Sequence, residues 1–281
     1  MTIARQFQLH PTLWIFLLIA FFTGTFVQLF ILLSIVFWHE LGHYCAARFF
    51  GWRIERVVFW AFGGVMQTDE QGTRPVKEEL LVTLFGPLQH LFIYIFILTL
   101  SYFHLLPPAL VADIHYYNFI VFFFNLLPIY PLDGGKFILF SLSHYLPYRQ
   151  AYRQMLNFSI LSLLLLIVFQ LYSFPFTFTA TLLLVFLLFE AIKARKKEFY
   201  TFMRFLLKRF YIEESSLATK RIEASGRTRL LDLFNRFYRN KYHHIYVDST
   251  TYISEKDTLD FYFKEQRLQA TLQDALEAKE K

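Results

Sequence analysis

One cysteine, Cys45, stands in 281 residues, which excludes an internal disulfide and any CxxC metal or redox site. Charge is also scarce, with Asp, Glu, Lys and Arg making up 18% of the chain against 56% hydrophobic residues and 36 Phe. A soluble globule carries about a quarter charged residues, so this composition excludes one and implies a polytopic membrane protein. The net charge of +6 gathers outside the apolar runs, chiefly in the last third. A basic surface of that kind suits anionic lipid, so the expected partner is the bilayer and not nucleic acid. No small-residue cleavage site follows the first apolar run, and a cleaved signal peptide is not expected.

The apolar segments divide by the charges between them. Arg48, Arg53, Arg56, Arg74 and Lys77 fall in one stretch, whereas residues 101–117 and 173–177 hold no Lys or Arg. The positive-inside rule puts the first in the cytosol and the other two outside. With Arg5 also inside, the run Leu13 to Trp38 must turn, and Thr23-Gly24-Thr25 is the place for it. Further spans are expected near 80–101, 116–132, 156–172 and 176–192, giving six transmembrane helices with both termini cytosolic.

Within the second span lies Trp38-His39-Glu40-Leu41-Gly42-His43-Tyr44. At 3.6 residues per turn His39 and His43 share one helix face, where both imidazoles reach one Zn²⁺, and Glu40 is placed as general base for a metal-activated water. Ionisable side chains at membrane depth are costly, so a functional role is the default reading. Cys45 lies about 200° round the helix from His43 and is expected to pack. A second constellation closes the fourth span, Asn125-Leu-Leu-Pro128-Ile-Tyr-Pro131-Leu132-Asp133-Gly134-Gly135-Lys136. Two prolines and two glycines break the helix, which leaves Asp133 on irregular backbone at a depth similar to the histidines. Alone, Asp-Gly-Gly reads as a loop turn; beside the histidine pair it supplies the carboxylate that a three-ligand zinc site needs.

Between these motifs, residues 51–66 are rich in Val, Phe, Trp and Ile, are broken by Gly63-Gly64, and read as two short strands and a turn. This hairpin either dips into the membrane beside the site or lies in the interface, held by its aromatic residues. Its edge is a candidate to receive a substrate as an added strand, with Gly63 and Gly64 at the contact. In the third span Gly86-Pro87-Leu88-Gln89-His90 suits close helix packing, with His90 as a candidate polar neighbour of the metal.

HELGH on one membrane helix and NLLPIYPLDGG on a later one resemble the site-2 protease family of intramembrane zinc metalloproteases, and within it the sporulation branch. The resemblance covers most of the chain. It implies zinc ligands at His39, His43 and Asp133, the catalytic glutamate at Glu40, and Asn125 and Pro131 beside substrate. It further implies a membrane-associated precursor of the pro-sigma-K type as substrate, inhibitory membrane proteins as partners, and the mother-cell membrane around the forespore as location. A CAAX-type membrane protease also carries HExxH but takes its third ligand from a downstream Glu, and an inactive metal-binding scaffold would lack a catalytic residue that this chain retains.

Beyond Lys193 the composition turns charged. The expected fold is therefore an all-α membrane domain over 1–195 with a short membrane-associated β-hairpin, a linker over 196–220, and a small cytosolic α/β domain over 221–281. Leu230–Tyr238 reads as a basic amphipathic helix, His244–Val247 as a strand and Asp257–Phe263 as a helix, with His243-His244 at an exposed strand edge. The element order and Tyr252-Ile253-Ser254-Glu255-Lys256-Asp257 resemble a cystathionine-β-synthase (CBS) module. That likeness implies Ser254 and Asp257 as contacts for ATP or another adenine nucleotide, and homo-oligomerisation through the module.

Overall fold

The computed structural model describes residues 7–60, 63–68, 70, 72, 74–173, 178–211, 218–249, 251–265 and 269–279. The expected hairpin residues Ala61 and Phe62 and the expected loop 174–177 lie outside them. Two compact units divide the chain, residues 1–128 with 132–137, and 129–131 with 138–281.

The first unit holds β1 (Phe7–Leu9), α1 (Thr12–Thr23), α2 (Phe26–Phe49), β2 (Ile54–Trp60), β3 (Gly63–Thr68), α3 (Val76–Tyr102), α4 (Pro108–Leu126) and the start of α5 (Asp133–Tyr145). The chain turns between α1 and α2 where the loop charges require it. Gly24 takes φ 71°, a left-handed cap that a side chain would strain, and Thr25 N–H donates to Ala20 O at 3.0 Å. The helix α2 packs against α3, α4 and β3 and forms the centre of the unit. Its inner face carries Ile31, Ile35, Ala46 and Ala47, but also His39, Glu40 and His43. Outward faces are apolar instead, with Phe22 77% and Phe30 74% exposed. Polar groups inside and phenylalanine outside suit a hydrocarbon solvent. Cys45, expected to pack, is instead exposed.

Among the described residues four helices are long and apolar enough to cross a membrane, namely 26–49, 76–102, 108–126 and 148–172. The helix α4 starts eight residues before the expected span and stops six before its expected end. Pro107 and Pro108 preset its first turn, and Pro128 disfavours helix in the residue before it. Asp133 was expected on irregular backbone; it is instead the first residue of α5, because the break is confined to 127–132. There Gly135 N–H and Lys136 N–H already turn back to Leu132 O, and a carboxylate suits the positive end of the helix.

The hairpin forms with a third strand. The strand β2 pairs antiparallel with β3 and parallel with β1, so the sheet order is β1-β2-β3 and β3 is the edge on the hairpin side. Gly63 and Gly64, expected to make the turn, lie in β3 opposite Trp60 and Phe59.

The second unit contains α6 (Tyr148–Ser173), α7 (Phe178–Lys196), α8 (Glu198–Phe210), β4 (Ala218–Ala224), α9 (Leu230–Phe234), β5 (Lys241–Val247), β6 (Thr251–Ser254), α10 (Glu255–Glu265) and α11 (Leu272–Lys279). The stretch 196–220, read from composition as a linker, holds α8. Phe202, Phe205, Leu206 and Arg209 recur there at helical spacing and are buried. The expected helix Leu230–Tyr238 stops at Phe234, and Phe237 then turns into the core with no exposure. In the three-stranded sheet β5 is central, parallel to β4 and antiparallel to β6. That placement corrects the expectation of an exposed edge: His243 is fully buried, its ring stacked on Phe237 at 4.5 Å.

A buried ion pair ties this unit together. Glu255 accepts from Arg209 Nε at 2.6 Å and Nη2 at 2.9 Å, and from His243 N–H at 2.9 Å and Nδ1–H at 2.7 Å. Tyr238 N–H donates into His243 Nε2 at 3.0 Å, so the imidazole is neutral. Burial pushes the His243 pKa below its ordinary 6.5. Burial alone would raise Glu255, but the bonds from His243 and Arg209 hold it below its ordinary 4.5. Both groups bind protons more readily when unfolded, so their stabilisation is complete above about pH 6.5 and is lost as the pH falls. The protection of amides 241–247 against hydrogen exchange, taken relative to the unfolded-chain rate at each pH, should fall progressively between about pH 6.5 and 4. Glu255→Gln, which strands a buried Arg209, should destabilise this sheet by about 3–5 kcal/mol at pH 7 and flatten that pH dependence.

Candidate functional site

His39, Glu40, His43 and Asp133 all belong to the first unit. One turn of α2 separates His39 from His43, and the rings meet edge to face with Nε2 atoms 3.1 Å apart. Asp133 Oδ2 stands 3.2 Å from His39 Nε2 and 3.0 Å from His43 Nε2. All three residues are buried. Two imidazole nitrogens and a carboxylate oxygen at these separations match the edges of a zinc tetrahedron, which for bonds near 2.0–2.1 Å are about 3.3 Å. The residues present therefore fit a zinc ion.

The far side of each donor is held. His43 Nδ1 donates to Val82 O on α3 at 2.8 Å, which leaves its Nε2 as a bare lone pair. His39 Nδ1 meets His90 Nε2, also on α3, at 3.0 Å. Lys136 Nζ bonds Asp133 Oδ1 at 2.9 Å, one turn along α5, so that Oδ2 alone faces the histidines. Close backbone approach makes room for these contacts. A Cβ at Gly86 would overlap the His43 ring, and one at Gly134 would strike the carbonyls of Leu126 and Leu127 where the helix breaks.

Glu40 is buried beside the pair, and the ligand-type atoms of His39, Glu40 and His43 all lie within 4.8 Å of one another. Strand β3 passes directly over it. A Cβ at Gly64 would fall on the Glu40 side chain, which explains glycine in this strand better than a turn does. The other expected residues are placed as follows. Asn125 lies at the end of α4 and donates from Nδ2 to Val121 O of its own helix at 2.9 Å. Pro131 follows a cis peptide in the broken segment, where Tyr130 N–H donates to Ser159 Oγ at 2.9 Å. Gly63 opens β3 at φ 150°.

In the second unit Ser254 and Asp257 bond to each other. Asp257 N–H donates to Ser254 Oγ at 3.0 Å and Ser254 N–H to Asp257 Oδ2 at 3.4 Å, a reciprocal cap on α10. Lys279 also bonds Asp257 at 2.6 Å. This pattern accounts for both residues without a nucleotide.

Two groups near the site were not singled out in the sequence, Asn118 and Lys136. Asn118 is one polar residue in the apolar run Tyr116–Phe124, and that isolation was its only signal. Lys136 stands at i+3 from Asp133, the spacing of a helical ion pair, and was hidden by the expectation of irregular backbone.

The chain is similar in sequence and fold to several known proteins. The model of peptidase family M50 matches residues 27–114. Stage IV sporulation protein FB of Bacillus subtilis (strain 168) is 33% identical over 276 residues, 96% of this chain and 96% of that one. Zinc metalloprotease MJ0392 of Methanocaldococcus jannaschii is 31% identical over 144 residues, 47% of this chain and 41% of the relative. The solved site-2 protease from Methanocaldococcus jannaschii superposes with a TM-score of 0.56 at 26% identity, covering 68% of this chain and 91% of that structure. The chain belongs to peptidase family M50, the zinc metalloproteases of site-2 protease type.

Proposed function

We propose that this protein hydrolyses a peptide bond of a membrane-associated precursor at the cytosolic side of the bilayer, with His39, His43 and Asp133 as zinc ligands and Glu40 as the catalytic glutamate. The observation that carries the reading is the convergence of those three ligand atoms within 3.2 Å in a buried site. Zinc bound there supplies Lewis acidity toward the scissile carbonyl and acidifies water. Glu40 takes the proton of the attacking water and delivers it to the departing amide nitrogen, so the C–N bond breaks into a carboxylate and an amine.

A helical substrate hides its amides and must be extended first. The strand β3 is the sheet edge beside Glu40, which supports strand addition there, with Gly63 and Gly64 at the contact and Asn125 and Pro131 as further substrate contacts. The reading includes six spans with cytosolic termini and a protease domain over 1–195. It also includes a CBS-like cytosolic module over 221–281 through which copies associate. The likeness to stage IV sporulation protein FB supports a pro-sigma-K-like substrate, inhibitory membrane partners and residence in the mother-cell membrane.

Cleavage of a membrane-tethered sigma-factor precursor and zinc content, read side by side, test the roles. Glu40→Gln should keep its zinc and lose cleavage by at least about 10²-fold, the low end of what a general base contributes. Asp133→Asn should lose both. An Asp133→Asn chain that binds zinc and cleaves normally would move the third ligand elsewhere. Val65→Pro removes a strand donor in β3. It should depress cleavage severely with zinc content unchanged, and unaltered cleavage would discard strand addition.

A further inference from the structure

We infer that His90 and Asn118 are positioning residues that fix the tautomer of His39, through a hydrogen-bond relay running from α4 across α3 to α2. The inference rests on the zinc reading of His39, His43 and Asp133.

The direction of the relay follows from groups that have only one role. Asn118 Nδ2 donates to the backbone carbonyl of His90 at 2.9 Å, which fixes the orientation of the amide. Its Oδ1 therefore faces His90 Nδ1, 2.8 Å away, and can only accept. His90 must carry its proton on Nδ1. Its Nε2 is then a lone pair, and the 3.0 Å contact with His39 Nδ1 requires the proton of that bond to sit on His39. His39 Nε2 is left bare and directed at the point shared by His43 Nε2 and Asp133 Oδ2.

His90 is thus excluded as a fourth ligand, because both its nitrogens are committed. The relay is sealed from water: His39 and His90 are each 3% exposed and Asn118 is 5% exposed. In such surroundings an unmade hydrogen bond has no solvent to replace it, so the tautomer is strongly enforced. His43 reaches the same state more directly, through the carbonyl of Val82.

The experiment uses the full chain in detergent micelles, with zinc affinity measured by chelator competition and ligand geometry by the visible spectrum of the Co²⁺ form. His90→Leu should weaken zinc binding about 10- to 100-fold, the usual effect of losing a partner behind a ligand, and shift the cobalt bands. His90→Gln keeps an acceptor at the position of Nε2 and should recover most of the affinity, a rescue that a purely space-filling role would not give. Adding Asn118→Leu to His90→Leu should cost little more than His90→Leu alone, because both break one chain of bonds. Native affinity and an unchanged spectrum in His90→Leu would overturn the inference, as would equal affinities for the Leu and Gln variants. Should His90→Leu fail to fold, Asn118→Leu alone carries the test, with a loss of affinity expected and native affinity overturning it. A native chain that takes up no metal would instead overturn the zinc reading itself.

Discussion

The first unit depends on one constraint: three metal-type donors are buried together on helices whose outer faces are phenylalanine and leucine. Each donor also has a second polar atom, and nothing outside the bundle can satisfy it. The neighbouring elements supply what is needed. The helix α3 provides Val82 O for one imidazole and His90 for the other, α4 provides Asn118 behind His90, and α5 provides Lys136 for the outer oxygen of Asp133. An unpaired polar group in such a medium costs several kcal/mol, so helix positions and rotations are bound to the site as tightly as to apolar packing. Gly86 shows the trade: a residue that contributes no packing area of its own is where α3 comes close enough to hold His43.

How much of this was legible in the sequence depended on whether the signal was periodic. The pair His39 and His43 could be read because helical geometry fixes their relation, and Asp133 because two prolines and two glycines announce a broken helix at the right depth. Asn118 could not, since one asparagine in an apolar run has no spacing to interpret. Strand β1 is three residues long, too short for a pattern, and only pairing with β2 reveals it. For Gly63-Gly64 the residue type was informative but its cause was ambiguous, because glycine serves turns and close approaches alike. In the second unit the alternation of β5 gave a strand but not its position in the sheet. His243 therefore looked exposed until β4 and β6 were seen on either side of it. The helix α8 was written at helical spacing in Phe202, Phe205, Leu206 and Arg209, and was masked by the high charge around them.

The third strand of the small sheet has a consequence for access. With β1 paired to one side of β2, the hairpin offers its β3 side to an incoming chain. That is also the strand whose Gly64 lies on Glu40. In the proposed reaction, the backbone that would extend the substrate and the backbone that leaves room for the catalytic carboxylate are therefore the same. Any side chain at Gly64 larger than hydrogen would have to displace Glu40, which couples the shape of the binding edge to the placement of the base.

Two buried ionic clusters among the described residues look alike in composition, each joining histidine, carboxylate and a basic side chain, yet their hydrogen-bond balance is opposite. Around Glu255 every contact matches a donor to an acceptor: Arg209 and His243 give four N–H groups to two carboxylate oxygens, and His243 Nε2 receives a backbone N–H. Nothing is left to bind, and the cluster acts as a strut. At His39, His43 and Asp133 the protons are all drawn outward, to Val82 O, to the His90 relay and from Lys136. Three acceptor atoms are thereby turned toward one another at 3.0–3.2 Å. Facing lone pairs repel, and in the proposed zinc reading a cation among them relieves that repulsion. The distinction between a site and a strut therefore lies in which way the protons point and not in which residues are buried.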